Sequence, residues 1–299
     1  MTASTPGVIV LGGTGFLGRR VVQRLLDRGC SVTVGTRSPE AARRTIRNGK
    51  VRLVKYDLNT RGALEEALAG PAAVINCIGF YTETRRETFR DVHVAAAGRI
   101  AALVQANGDQ DLIHISGIGA RPESPSAYVR ARARGEAAVR RACSKAVILR
   151  PSVMFSRSGA FFGDLQKIVA LLPVIPLFGT GSTRLQPVWS GDVAEAACRV
   201  LDSNRVGRGR VFELGGPDVF TYRHILERLI AQTGRRRLLM PVPFALWQLG
   251  AAVLSVLPRP PLTPAQVDLM RRDNTVSGTA AAFADLGIAP HSAPSMGLL

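Results

Sequence analysis

Three glycines at three-residue spacing, Gly12, Gly15 and Gly18, follow the apolar run Val8-Ile9-Val10-Leu11 and open an amphipathic stretch. Such a pattern does its chemistry with backbone. Gly12 permits a tight turn, Gly15 lets the main chain approach a pyrophosphate, and Gly18 lets the following helix press against the strand. The free N–H groups of the turn and the positive end of the helix then attract phosphate. A glycine motif carries this meaning only with a strand before it and a helix after it, and both are read here. The residues expected along a bound dinucleotide are Gly12, Thr14, Gly15, Phe16, Leu17 and Gly18.

Three further strand ends add to that site. The second apolar run closes Val34-Gly35-Thr36-Arg37. A site selective for NAD usually places a carboxylate there for the ribose 2′-hydroxyl. An arginine forks instead onto a 2′-phosphate, so Arg37 favours NADP(H) over NAD(H). Asp57, followed by Leu58, is placed to accept from an adenine amino group. Ile78-Gly79 ends the fourth run, where a glycine lets the chain pass close to a cofactor.

The elements that must position these residues alternate. Short β-rich runs at 8–11, 31–35, 51–56, 72–76, 112–116 and 146–149 are separated by helical patterns at 16–28, 39–47, 62–69, 88–107 and 128–143. The near-continuous apolar runs are those of strands covered on both faces. The spacing predicts an α/β fold with a doubly wound parallel sheet. The second half is less regular, with a Pro- and Gly-rich stretch at 172–181 and a further strand at 210–214. Helical patterns follow at 191–201, 222–233, 244–257 and 264–272. We expect a dinucleotide-binding part over 1–155, with 185–216 added to it. A smaller, interleaved C-terminal lobe is expected over 156–299.

Composition excludes other classes. At 299 residues and 46% hydrophobic content the chain can bury a large core without disulfides or metal. Cys30, Cys77, Cys143 and Cys198 are far apart and form no metal-ligand pattern, so they read as reduced thiols. Residues 1–7 lack a basic stretch, and no signal peptide is expected. His93 and His114 fall in apolar patterns and read as packed, while His224 and His291 show no partner. The 39 Lys+Arg against 22 Asp+Glu give a net charge of +17, nearly all of it arginine. The arginines are dispersed, often as pairs such as Arg19-Arg20 and Arg85-Arg86, with no interleaved aromatics. Specific nucleic-acid binding is therefore not expected.

In order along the chain, several segments resemble the extended and atypical short-chain dehydrogenase/reductases. They are the glycine turn, Asp57-Leu58, the run 74–79, Arg150-Pro151-Ser152-Val153 and Gln186-Pro187-Val188 with Asp192-Val193-Ala194. Glu213-Leu214-Gly215-Gly216-Pro217, Pro260-Pro261-Leu262-Thr263 and Asp273-Asn274 complete the set. The chain is most similar to the subgroup containing the Rossmann-fold accessory subunit of respiratory complex I and its bacterial relatives. That subgroup includes a nucleotide-binding subunit with no known turnover and relatives associated with quinone biosynthesis. The wider family uses a tyrosine activated by a lysine four residues on, with a serine or threonine. The resemblance implies Tyr128 as proton donor and Arg132 in the lysine position. Ser116 would orient the substrate, whereas in the extended pattern Ile118 falls at that position and offers no hydroxyl. Arg132 departs from the pattern, because arginine does not deprotonate and presents a planar fork.

Two readings of function follow. One is an NADPH-dependent oxidoreductase on a hydrophobic carbonyl or quinone-related substrate, its site a degenerate Tyr-x-x-x-Arg. The other is a non-catalytic NADP(H)-binding accessory or assembly protein of a membrane respiratory or quinone-biosynthesis complex. A third, an NADPH-sensing regulator away from any membrane, is weaker. The segment from Phe244 to Leu257 bears on the choice. It is uncharged, contains Trp247 and is bracketed by Arg235-Arg236-Arg237 and Arg259. At about 1.5 Å per residue it reaches roughly 21 Å, short of the roughly 30 Å hydrocarbon core. It reads as a buried helix of the lobe or as a helix in the membrane interface. The expected location is cytoplasmic, with a peripheral place on the inner membrane face as the alternative.

Overall fold

The computed structural model describes residues 7–299 apart from 59, 85–86, 158, 203–206, 256, 258–259 and 261. Residues 1–6, Arg85, Arg86, Arg259 and Pro261, named above, thus lie outside the described residues. Seven parallel strands form the central sheet: β1 (Gly7–Leu11), β2 (Ser31–Thr36), β3 (Arg52–Lys55), β4 (Ala73–Asn76), β5 (Asp111–Ile115), β6 (Val147–Pro151) and β7 (Val211–Leu214). Their order is β7-β6-β5-β4-β1-β2-β3. The order reverses at β1, whose Val10 pairs with Val34 on one side and Ile75 on the other. In an open sheet of this kind, the crevice at such a reversal is where a ligand binds.

Helices cover both faces. Val8 and Val10 face α1 (Phe16–Asp27) and α7 (Ser190–Asp202), packing with Val21, Leu25, Val193 and Ala197. Ile9 and Leu11 point the other way, toward α3 (Arg61–Leu68) and α4 (Ala97–Ala106), through Leu64, Leu68, Ile100 and Val104. The apolar runs are continuous because adjacent residues enter opposite cores. The short helix α2 (Pro39–Thr45) is capped by Ser38, whose hydroxyl accepts from the Ala41 N–H.

The 88–107 pattern is not one α-helix. Residues Arg90–Ala96 form a π-helix that runs into α4. Against it lies α5 (Ala127–Ala142), where a Cβ at Gly135 would come within 1.9 Å of the His93 carbonyl oxygen. The widened turn and the missing side chain fit together there.

A third apolar cluster joins α6 (Phe161–Leu171) and α8 (Tyr222–Thr233) through Phe162, Leu165, Val169, Ile225, Leu226 and Leu229. The chain end closes over it with Ala293 and Leu299. Two strands that the sequence pattern does not announce, Val174–Phe178 and Leu238–Val242, pair in parallel within this region. Pro176 and Pro241 disguise them, and a two-stranded sheet has only edge strands, where proline is tolerated.

Segments that carry the resemblance fasten this second half. Asn274 accepts from the Ser152 hydroxyl at 2.7 Å and the Val153 N–H at 2.8 Å. Gln186 donates to the Gly216 carbonyl at 2.7 Å and accepts from the Val276 N–H at 2.9 Å. Arg150 on β6 bridges Glu136 at 2.6 Å and Glu213 at 3.4 Å. His291, without a visible partner in the sequence, binds Asp192 at 2.8 Å.

The interior reading of 244–257 is overturned. Within α9 (Phe244–Leu254) only Ala251 is buried, while Leu246, Leu249 and Val253 are 59%, 65% and 63% exposed. Trp247 is the anchor of this helix. Its indole N–H donates to the Leu177 carbonyl at 2.9 Å and its ring packs on Phe178. The 264–272 pattern contracts to α10 (Pro264–Leu269), capped by Thr263.

Gly135→Ala tests the fit of α5 against the π-turn. Forcing a methyl onto the His93 carbonyl should cost about 1–3 kcal/mol, read as a lower urea midpoint; an unchanged midpoint contradicts the fit.

Candidate functional site

The glycine turn has the geometry that its spacing requires. Gly12 has φ +75°, and a Cβ on it would lie 3.0 Å from the carbonyl of Cys77, past the end of β4. The Gly15 N–H donates to the Gly12 carbonyl at 3.0 Å. A Cβ at Gly18 would come within 2.2 Å of the same oxygen, so α1 packs at a distance that only glycine allows. At the start of α1 there is no side-chain cap and no acidic residue in the first turn. The first amides of a helix need a partner, and an anion is the one this end is built for. Thr14, Phe16 and Leu17 complete the turn and first turn of helix, with Leu17 buried in the core below. These features fit a dinucleotide pyrophosphate.

At the β2 end, Arg37 is exposed and pairs with Glu87 at 2.8 Å. Beside it a cavity of about 430 Å³ is lined by Arg37, Ser38, Pro39, Glu40, Arg43 and Lys55. Arg43 and Lys55 were not anticipated. The signal for Lys55 is the register, which sets it opposite Thr36, and Arg43 lies one helical turn past Pro39. Asp57 is exposed just past β3, and Leu58 packs beneath into the second core. The Ile78 N–H donates to the Asn76 side chain at 3.1 Å, fixing the strand end that leads to Gly79.

At the other end of the crevice the structure brings Tyr128 and Arg132 together. Both lie on α5, four residues apart and hence on one face. The Arg132 Nε donates to the Tyr128 hydroxyl at 2.8 Å, and its Nη1 donates to the Ile115 carbonyl at 3.1 Å. A Cβ at Gly79 would meet Arg132 Nη2 at 3.4 Å and His93 Cε1 at 3.2 Å. The guanidinium therefore spans the ends of β4 and β5. Ser116 is buried with no hydrogen-bond partner for its hydroxyl, so it does not reach Tyr128. Ile118 is tied by its N–H to the Pro151 carbonyl at 3.1 Å.

Tyr128 is enclosed by side chains that sequence reading did not connect to it. Tyr81 lies over its ring at 5.1 Å between centroids, Phe89 meets it edge-on at 5.4 Å, and His93 edge-on at 5.5 Å. The ring is 7% exposed. Burial pushes the phenol well above its ordinary pKa, and the positive charge of Arg132 opposes this only in part. His93 is pushed down to about 4 by burial and then by Arg132, and its Nε2 lies 3.2 Å from the Phe80 carbonyl. His114 is pushed down to about 3 by burial, then by Arg132 and His93, and contacts Asn76 at 3.2 Å. The spacing of Phe89 and His93, one helical turn apart, was the available sign. Among the described residues no group of His, Cys, Asp and Glu forms a metal site.

Both histidines fold neutral. The unfolded rings take up protons near pH 6.5, and the folded ones resist until about pH 4 or below. Stability present at pH 7 is therefore lost as pH falls through this window, by on the order of 1–2 kcal/mol per histidine at pH 5. Urea midpoints at pH 7 and pH 5 should differ accordingly, and His93→Gln should narrow the difference. Equal wild-type midpoints contradict the assignment.

The model of the NAD dependent epimerase/dehydratase family matches residues 8–215. Over 305 residues the chain is 32% identical to NADH dehydrogenase (ubiquinone) 1 alpha subcomplex subunit 9, mitochondrial, of Arabidopsis thaliana, covering 97% of this chain and 76% of that one. Over 288 residues it is 32% identical to the NADH-ubiquinone oxidoreductase 40 kDa subunit of Neurospora crassa, covering 94% and 75%. Among solved structures, the UDP-glucose 4-epimerase of Thermus thermophilus, in complex with NAD, superposes with a TM-score of 0.64. It is 20% identical, over 89% of this chain and 99% of that one, a likeness of fold. The chain belongs to the NAD dependent epimerase/dehydratase family, within which it is similar to these subunits of mitochondrial NADH dehydrogenase.

Proposed function

We propose that this protein holds NADP(H) without turning it over, as an accessory or assembly protein of a membrane respiratory or quinone-biosynthesis complex. The observation that carries the reading is the enclosure of Tyr128. A general acid must reach the atom it protonates and must have a pKa near working pH. Tyr128 is buried beneath Tyr81, Phe89 and His93, and burial raises its pKa. The names of the relatives, subunits of NADH dehydrogenase at 32% identity, support the accessory role. In this reading residues 1–155 with 185–216 hold the cofactor, and the lobe within 156–299 meets the partner.

The residues that would hold the cofactor are those of the turn, with Gly12, Gly15 and Gly18 at the pyrophosphate. Asp57 and Leu58 would take the adenine end, and Ile78 and Gly79 the strand end next to it. Arg37, Arg43 and Lys55 favour a 2′-phosphate over a bare hydroxyl, because cations gain from a phosphate that a hydroxyl does not offer. Bound there, NADPH would supply a hydride donor, whose use depends on access to Tyr128.

A second reading, an NADPH-dependent reductase, is favoured by one observation, the 2.8 Å contact of Arg132 with the Tyr128 hydroxyl. It requires Tyr81, half exposed over the phenol, to swing aside for substrate. No helix among the described residues is long and apolar enough to cross a membrane, and the proposed placement is peripheral, on the cytoplasmic face.

Titration of NADPH and NADH tests the cofactor assignment. NADPH should bind tighter, and Arg37→Ala should weaken NADPH about tenfold, one charge-assisted pair of about 1.4 kcal/mol, while leaving NADH unchanged. Equal or tighter NADH binding by the wild type refutes the role of Arg37.

A further inference from the structure

The lobe carries an apolar surface that the cofactor site does not use. At about 100° per residue, the exposed positions of α9 are 245, 246, 249, 250, 252, 253 and 254, an arc of roughly 200° of the helix. Every residue in that arc is Ala, Gly, Leu or Val. The helix leaves the strand Leu238–Val242 directly, and that strand exposes Leu238 and Met240, two residues apart and so on one face. Leu238 is tied by its N–H to the Pro173 carbonyl, beside exposed Leu171 at the end of α6. The exposed apolar residues thus follow one another along the end of α6, the strand and α9.

Cations border it on two sides. Arg235 and Arg237 donate to the Ala170 and Val169 carbonyls at the end of α6, with exposed Arg236 between them. Arg271 lies over the Phe244 ring at 4.8 Å, at the start of α9, and pairs with Asp268 at 3.5 Å, while exposed Arg272 stands beside it. No Asp or Glu occurs from residue 228 to residue 267. The occupant must therefore be apolar beneath and negative at its rim. A protein groove receives a helix through a narrower stripe with polar groups at its margins. A 200° arc with no hydrogen-bonding side chain suits a fluid apolar phase, and a short helix of this kind lies in the plane of an interface.

We propose that this face rests on an anionic bilayer. Leu246, Leu249 and Val253 enter the acyl boundary, with Leu171, Leu238 and Met240 alongside and the arginines at lipid phosphates. Trp247 takes no part, since its N–H and ring are held within the lobe. The proposal deepens the membrane-associated reading above and rests on it for its setting, and it names the bilayer itself as the contact.

The experiment is flotation of the full chain with vesicles of phosphatidylcholine alone and of phosphatidylcholine with phosphatidylglycerol, with NADPH titrated against the same samples. Wild type should float with the anionic vesicles, less with the neutral ones, and less at raised salt. Combined Leu246→Glu, Leu249→Glu and Val253→Glu should cut recovery about tenfold or more while NADPH binding, which reports folding, is unchanged. Arg236→Glu, on an exposed side chain, should weaken recovery on anionic vesicles only. Wild type that floats with neither vesicle overturns the proposal, as does a combined variant that floats like wild type. A wild-type dimer that the variant converts to monomer, without vesicle binding, also overturns it by assigning the face to a second copy. Intact flotation with no NADPH binding supports the surface and overturns the cofactor reading instead.

Discussion

The Gly18 Cα and the Gly12 carbonyl stand too close for any side chain between them, since a Cβ at Gly18 would come within 2.2 Å of that oxygen. From this one contact the rest of the site is set. It seats the N-terminus of α1 over the end of β1, where the strand order reverses, so the uncapped amides open into the crevice. It also draws α1 onto the sheet, where Val21 and Leu25 complete the core with α7. The phosphate-binding geometry and the packing of the main core are the same constraint seen from two sides.

A second close approach governs the opposite end. Gly135 admits the His93 carbonyl of the π-turn, and that turn places Phe89 and His93 against Tyr128. Arg132 is held by the phenol and by the Ile115 carbonyl, with two neutral imidazoles in its field. Among the described residues its charge has no carboxylate within ion-pair distance, since Glu136 on the same helix is taken by Arg150. The arrangement keeps the features of a proton-donating pair and closes the approach to it. On this ground we propose cofactor retention in place of turnover.

Much of this was legible in the residues. Strands buried on both faces betray themselves as apolar runs, and the glycine turn has few other uses between a strand and a helix. What escaped depended on contacts distant in sequence. Tyr81 and Tyr128 meet across the crevice although nothing in their spacing says so. Lys55 joins Arg37 only through the register of β2 with β3. The uncharged helix α9 invited an interior assignment, because apolar helices are usually buried. Its exposure becomes visible only when Trp247 and Ala251 are found to be its inward side. The segments around Gln186, Glu213 and Asn274 carry the resemblance, and here they serve as fasteners of the second half.

We propose that the cofactor is held and not consumed. The most direct test is the absorbance of the reduced nicotinamide in the NADPH-loaded protein mixed with short-chain quinones and hydrophobic carbonyl compounds, compared with Tyr128→Phe. The absorbance should persist in both proteins. A decay in the wild type that Tyr128→Phe abolishes would contradict it and establish Tyr128 as a working acid.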